Sequence, residues 1–176
     1  MKTFAVPTRE EVTTNNQEIF DNLKKSLGFV PNLYATMAYS TNGLAKFLAY
    51  QNAKTSLSNR EKEAVNLIVS QVNECIYCLS AHTTIGKMNG FTDEQILDLR
   101  RGKSENPKLN ALVKLAADIT RSKGKANGEL VSEFYEQGYT NENLIDLILL
   151  ISDKTAMNYT HNLTQIPVDF PVAPAL

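Results

Sequence analysis

Residues 58–82 read SNREKEAVNLIVSQVNECIYCLSAH, and this stretch decides the fold that we expect. Ser58 is followed three residues later by Glu61, which is the spacing of a capping box at the start of a helix. Apolar residues then recur at helical intervals as far as Val72, a pattern typical of a largely buried helix. A second helix is predicted from about Cys75 to Gly90, since glycine commonly ends helices. The stretch therefore predicts a helical hairpin.

The second helix of this hairpin carries the densest chemistry in the chain. Cys75 and Cys78 are the only cysteines, and His82 is one of two histidines. Helical spacing places these three side chains on one face. The N–H groups of a first helical turn favour thiolates, and an imidazole one turn after Cys78 can accept its proton. Two thiols three residues apart can also close a disulfide. Cys78 is therefore predicted to be the better-activated thiol of a redox pair.

Several interpretations of these residues stay open on the sequence alone. A CxxC pair serves redox chemistry, binds a metal or merely packs, and a zinc site would need His161 or Glu63 to complete it. Glu63, on the first helix of the hairpin, could orient His82 or only stabilise the start of its own helix. Tyr77 is a core residue, a proton donor or a pocket wall. His161 is expected at a helix end.

The rest of the chain also has helical periodicity, so we expect an all-α fold. Further helices are predicted to begin at the Thr8 capping box, near Pro31, at about 41, at Thr92, at Asn106, near Glu129 and at Thr140. The helix beginning at about 41 is expected to end near 54, and the helical pattern of the one beginning at Thr140 continues toward 157–159. Residues 165–176 are proline-rich and should be extended, against their own domain or a neighbouring subunit.

Length and charge restrict the classes of function. The 176 residues suit a single domain spanning 1–176. The 18 basic and 19 acidic residues nearly cancel, so no overall field attracts nucleic acid or an anionic membrane. The sequence shows neither a signal-peptide pattern nor an apolar run of spanning length. We therefore expect a cytoplasmic protein with a small-molecule substrate, and we expect no cofactor and no metal.

The basic residues after the Thr92 helix have one possible role in binding a protein partner. Arg100, Arg101 and Lys103 are interpreted as a solvated helix end. Such a cluster could at most dock a protein reductant.

The spacing of the candidate residues matches a known pattern. Glu63, eleven intervening residues, Cys75-x-x-Cys78, three more residues and His82 closely resemble the alkylhydroperoxidase D-like family of the carboxymuconolactone decarboxylase superfamily. The segments GFVPNL at 28–33 and TQIPVDFP at 164–171 are similar to the branch called peroxidase-related proteins. The resemblance covers most of the chain, and its Glu-CxxC-His core is the specific part.

The resemblance implies a function for each candidate residue. By this carry-over Cys78 attacks a peroxide, Cys75 resolves the sulfenic acid as a disulfide, and Glu63 with His82 relays protons. Tyr77 stands where the well-studied peroxidases of the family have a histidine, and tyrosine is a poor base near neutral pH. The decarboxylase branch typically lacks the redox pair.

The predicted protein is thus an all-helical, thiol-dependent peroxidase that reduces hydrogen peroxide or organic hydroperoxides. Its partners would be a dithiol or protein reductant and further copies of itself, as a dimer, trimer or hexamer. The alternatives are a redox-sensing or metal-binding helical module, or a general disulfide oxidoreductase without efficient peroxidase turnover.

Overall fold

The computed structural model describes residues 4–176, and all regular structure in that range is helical. A 3-10 helix, Arg9–Glu11, precedes α1 (Thr14–Leu27), α2 (Asn32–Met37), α3 (Gly43–Gln51), α4 (Asn59–Val72), α5 (Ile76–Met88), α6 (Asp93–Arg100), α7 (Pro107–Ser122), α8 (Gly128–Glu136) and α9 (Asn141–Thr164). The all-α prediction is confirmed. Among these helices, none has the length and apolar character needed to cross a membrane.

Helix α4 is the centre of the fold, because it packs against α5, α6, α7 and α9. Ala64, Val65 and Leu67 are completely buried, as expected for a helix that is apolar on most of its sides. The capping box predicted at its start is present: the Glu61 N–H donates to Ser58 Oγ at 3.3 Å, and the Ser58 N–H donates to Glu61 Oε2 at 2.8 Å. Helix α4 is therefore fixed at its N-terminus and along its length.

Two apolar clusters matter for the position of the site. The larger one joins α4 and α7 with side chains of α6, α8 and α9. A smaller one contains Leu33, Cys75, Tyr77, Cys78, Met157 and Ile166. Both cysteines therefore lie in an apolar cluster that α2, the start of α5, α9 and the C-terminal residues build together.

Some predicted helix boundaries are wrong. At the N-terminus the Thr8 N–H donates to Glu11 Oε2 at 2.7 Å, but this box opens only the 3-10 turn, and α1 begins at Thr14. The reason is Val12, which is extended and buried against the cluster that includes Phe20. Helix α3 ends at 51 rather than 54, and α9 continues past 157–159 to 164. Helix ends are the least sharply defined part of a helix.

Residues 165–176, which we call the strap, contain no helix or strand and run across α5 of their own chain. Asp169 Oδ2 accepts the Asn32 N–H at 2.7 Å, beside the start of α2. Further along, the Ala173 N–H donates to Ser80 Oγ at 3.0 Å. The Pro174 carbonyl accepts from Arg100 Nη1 at 2.8 Å. These hydrogen bonds fix the strap over the helix that carries the cysteines.

The prediction that Arg100 is solvated is wrong. This side chain is only 4% exposed, and its Nε also donates to Gln71 Oε1 of α4 at 2.9 Å. Because the Arg100 guanidinium already donates hydrogen bonds to the strap and to α4, it is not free to bind a reductant. Arg101 and Lys103 remain exposed, and both pair with Asp98.

The two similar capping boxes allow a matched test of stability. Replacing Ser58 by alanine should lower the free energy of unfolding by about 1 kcal/mol, because it removes the cap of the central helix. Thr8→Ala should lower the free energy of unfolding by less than about 0.5 kcal/mol, since Thr8 caps one exposed turn. Urea denaturation followed by circular dichroism measures both values. Equal losses of unfolding free energy in the two variants would contradict the central role assigned to α4.

Candidate active site

Cys75 and Cys78 lie at the start of α5, as predicted. Cys75 is the N-cap residue, and its backbone is extended. Its N–H donates to the Ser70 carbonyl at 3.0 Å, and its Sγ accepts the Cys78 N–H at 3.3 Å. Glu74, just before it, has a φ of 55°, a left-handed conformation that makes the sharp connection from α4. Both cysteines are buried free thiols, so the structure represents the reduced protein.

The surroundings of the two thiols favour negative charge on Cys75 over Cys78. The hydrogen bond from the Cys78 thiol lowers the pKa of Cys75 below its usual value, against the effect of burial, and His161 adds to the lowering. The hydrogen bond to Cys75, together with burial, raises the pKa of Cys78 well above its usual value. The prediction that Cys78 is the better-activated thiol stays a prediction; in the reduced pair at rest, the N-cap position and His161 favour charge on Cys75.

Glu63 and His82 meet in the structure as the hairpin suggested. His82 Nδ1 and Glu63 Oε2 are 2.7 Å apart, and both side chains are buried. Asn66 Nδ2 donates to the second oxygen of Glu63 at 3.2 Å. Burial would raise the pKa of Glu63, but the charge and hydrogen bond of His82, with the charge of Lys154, outweigh it and hold this pKa below its usual value. The Glu63 carboxylate therefore orients His82 instead of capping its own helix.

Helix α9 adds two buried polar residues that the sequence analysis missed. Lys154 and Asn158 are 3% and 0% exposed. Both lower the pKa of Cys78, Lys154 through its charge and Asn158 through a hydrogen bond, although the effect of Cys75 is larger. Asn158 is held in place, since it donates to Ser70 Oγ at 3.2 Å and accepts from Asn73 at 2.9 Å. Cys78 thus has a buried cation and an amide as neighbours.

A signal for these residues was present in the sequence of α9. Leu147 and Ile151 form its core stripe, and the next positions on the same face are Lys154, Asn158 and His161. Residues spaced by three or four share a helical face. A core stripe that becomes polar indicates a buried polar site.

A hydrogen-bonded chain of side chains borders the site on the side of α2 and α3. The Tyr34 hydroxyl donates to Gln51 Oε1, and Gln51 Nε2 donates to Asp153 Oδ1 at 3.1 Å. Burial, with the charges of Asp153 and Cys78, raises the pKa of Tyr34 to about 12. Tyr34 is therefore a neutral hydrogen-bonding wall of the site.

Tyr77 belongs to the core and holds the strap. It is 2% exposed, and its hydroxyl oxygen accepts the Leu33 N–H at 3.3 Å. Burial and a hydrogen bond with Asp169 raise its pKa well above the usual value. Its ring lies 5.7 Å from that of Phe170 in the strap. Of the three interpretations of Tyr77, the structure supports a core residue that also walls the cysteine pair.

His161 lies in the last turn of α9, the helix end expected from the sequence. It is buried, its ring lies 5.4 Å from that of Tyr77, and it acts on the Cys75 thiol. A shared metal site is not formed: in the described residues 4–176, no three side chains among His, Cys, Asp and Glu are placed to hold one ion. The zinc interpretation therefore lacks a donor set in this conformation.

Comparisons with known proteins show what this chain is similar to. Residues 39–118 match the model of the carboxymuconolactone decarboxylase family. An uncharacterized protein of Bacillus subtilis, YdfG, is 25% identical over 108 residues, which are 60% of this chain and 74% of that protein.

Two solved structures have the same fold. An uncharacterized peroxidase-related protein from Silicibacter has a TM-score of 0.82 and 21% identity, over 95% of this chain and 92% of its own. A protein from Ralstonia eutropha, described as an alkylhydroperoxidase AhpD core, has a TM-score of 0.85 and 20% identity, over 94% and 91%. The family match spans all five predicted site residues. Residues 39–118 are thus similar to the carboxymuconolactone decarboxylase family, and the fold is that of the solved structure described as an alkylhydroperoxidase AhpD core.

Proposed function

We propose that this protein is a thiol-dependent peroxidase that reduces hydrogen peroxide or organic hydroperoxides. One observation carries the proposal: two buried free thiols lie three residues apart at the start of α5, one helical turn before His82, whose Nδ1 is 2.7 Å from Glu63 Oε2. A dithiol can supply both electrons for peroxide reduction, and a carboxylate–imidazole pair can move the protons.

Cys78 is the thiol that attacks in this proposal. Its proton passes to Cys75, and the Cys78 thiolate then attacks one peroxide oxygen. The O–O bond breaks, an alcohol or water leaves with a proton supplied through His82 and Glu63, and Cys78 becomes a sulfenic acid. Lys154 and Asn158 support this choice, since both favour a charged Cys78. Cys75, enclosed by Tyr77 and the strap, is suited to the second step.

The second step closes the disulfide. Cys75, which took up the Cys78 proton in the first step, loses it as its sulfur attacks the sulfur of the Cys78 sulfenic acid. The S–S bond forms, the S–O bond breaks, and the hydroxide leaves with that proton as water. The net reaction consumes one peroxide and two thiols and yields one alcohol, one water and one disulfide. A dithiol reductant then returns two electrons and two protons.

The remaining partners are also proposals. Exposed apolar side chains on α9 support association with further copies of this chain; they are Ile145, Ile148, Leu149, Tyr159 and Leu163. Large exposed apolar surface is typical of protein interfaces. The reductant would be a small dithiol or a protein dithiol.

One stoichiometric measurement tests the proposed function. Reduced protein treated with one equivalent of hydrogen peroxide should lose two hydrogen atoms in intact mass, and a dithiol should restore the original mass. A zinc assay on the same sample covers the competing metal-binding module. A protein that keeps its mass, or that contains stoichiometric zinc, would contradict the proposal.

A further inference from the structure

We propose that His161 is the residue that takes up and returns the proton of Cys75, so that each thiol of the pair has its own proton-handling group. The inference rests on the dithiol cycle of the proposed function, but not on peroxide as the oxidant. It adds to the Glu63–His82 relay, whose two side chains lie on α4 and α5, whereas His161 lies on α9.

One ring nitrogen of His161 is hydrogen-bonded to the backbone, and the other is available to accept the Cys75 proton. His161 Nε2 lies 3.2 Å from the Ile166 carbonyl oxygen. Because a carbonyl can only accept, Nε2 must carry the proton, and Nδ1 of the neutral ring has a lone pair. Nδ1 is buried and has no hydrogen-bond partner among the described residues. A buried polar atom without a partner needs an explanation, and a thiol proton supplies one.

Several contacts hold the end of α9 beside Cys75. Asn162 Nδ2 donates to the Asn73 carbonyl at 2.7 Å, and the Asn73 side chain donates to Asn158 at 2.9 Å. Both bonds attach α9 to the connection that leads directly into Cys75. On the other side the Tyr77 ring lies 5.4 Å from the His161 ring. The imidazole is therefore confined between the strap, Tyr77 and the cysteine pair.

The pKa shifts of Cys75 and His161 agree with a position of the imidazole beside the Cys75 thiol. After the effect of Cys78, His161 is the next group that lowers the pKa of Cys75. Burial would lower the pKa of His161, but its interaction with the Cys75 thiolate outweighs burial and raises it. The effects are reciprocal, as expected for a thiolate–imidazolium pair.

Other titratable groups surround this pair and enter its pH dependence. Cys78 and Tyr77 lie on α5, Asp169 on the strap and Lys154 on α9. A titration must therefore compare variants that differ at one position only.

The proposed chemistry is a proton transfer in each half of the cycle. When the disulfide closes, the Cys75 proton moves to His161 Nδ1, and the imidazolium returns it to the oxygen that leaves Cys78 as water. When a reductant thiolate attacks Cys78 in the disulfide, the S–S bond breaks and Cys75 leaves with the electron pair. His161 then protonates or neutralises that thiolate, so electrons and protons balance in both directions.

The test titrates Cys75 without any oxidant. In a Cys78→Ser background, thiolate absorbance at 240 nm is followed against pH with and without His161→Gln. Glutamine retains an N–H for the Ile166 carbonyl but has no basic nitrogen. We expect the pKa of Cys75 to rise by about one unit or more, which is a tenfold change in proton affinity. An unchanged titration in a folded variant would overturn the proposal.

A second measurement applies even if His161→Gln fails to fold. The titration of His161 is followed by NMR in the otherwise unchanged chain and in Cys75→Ser. The His161 pKa should fall when the thiolate is removed, and an unchanged value would overturn the pairing. Neither experiment uses peroxide. A protein that shows both shifts but does not react with peroxide would therefore refute the proposed function and leave this inference standing.

Discussion

Cys78→Ser should abolish peroxide turnover, with kcat/KM lower by a factor on the order of 10³ or more. A serine hydroxyl is not ionised at neutral pH and cannot form a sulfenic acid. The side chains around Cys78, including Lys154 and Asn158, would remain in place but would have no sulfur to act on. Peroxide consumption in the presence of excess dithiothreitol measures the loss. A rate above half of the wild-type value would refute the assignment.

Cys75→Ser is the matched control for the roles of the two thiols. It removes one buried sulfur from the same cluster but leaves Cys78 to attack, so one equivalent of peroxide should produce a stable Cys78 sulfenic acid. A dimedone adduct located at Cys78 by peptide mass spectrometry would show this. An adduct at Cys75 in the Cys78→Ser protein, with none at Cys78 in Cys75→Ser, would reverse the two roles.

The hairpin and its main contact were predictable from the sequence for local physical reasons. Helical spacing and the apolar stripe after Ser58 set the faces of α4 and α5, and a short connection makes the two helices pack side by side. Glu63 and His82 then lie on facing surfaces, and the structure has them 2.7 Å apart. Such predictions succeed where a pattern of period 3.6 decides which side chains face inward.

The residues contributed by α9 could not be located in the same way. Lys154, Asn158 and His161 lie far along the chain from the cysteines, and only the tertiary packing of α9 against α4 and α5 brings them together. The charge distribution within the thiol pair has the same origin, because His161 lies beside Cys75 rather than Cys78. Sequence periodicity indicates that a face is buried but not what it faces.

The two capping boxes illustrate the same limit at the level of helix boundaries. Thr8 and Ser58 are each followed by a glutamate at the third position, and in both places that glutamate accepts the N–H of the capping residue. Only the box at Ser58 is followed by residues that a core can bury along a whole helix. Local hydrogen bonding starts a helix, whereas tertiary packing decides whether it continues.

Glu63→Gln should reduce kcat/KM by about 10²- to 10³-fold, within the usual range for loss of general acid–base catalysis. Glutamine has nearly the same shape, and its amide oxygen can still accept from His82. It lacks the negative charge that interacts with His82 and Lys154. The leaving oxygen of the peroxide would therefore receive its proton more slowly. Steady-state kinetics on both proteins measure the effect.

Glu74→Gln is the control for this variant, because it removes the same charge from an exposed position between α4 and α5. It should turn over peroxide at nearly the wild-type rate. If Glu63→Gln behaved like this control, the proton relay would be wrong, whereas the roles of the cysteines would be unaffected.

Glu63→Gln should also change how the free energy of unfolding depends on pH. The pKa of Glu63 in the folded protein lies below its usual value, so the unfolded chain binds the proton more readily. The ionised carboxylate therefore stabilises the fold above the usual carboxyl pKa of about 4.3. That contribution is lost as the pH falls through the lower pKa of the folded state. Urea denaturation at pH 7 and below about pH 4 should show a larger loss of unfolding free energy for the wild type than for Glu63→Gln. Parallel losses in the two proteins would mean that the Glu63 carboxylate is not stabilised by His82 and Lys154 in solution.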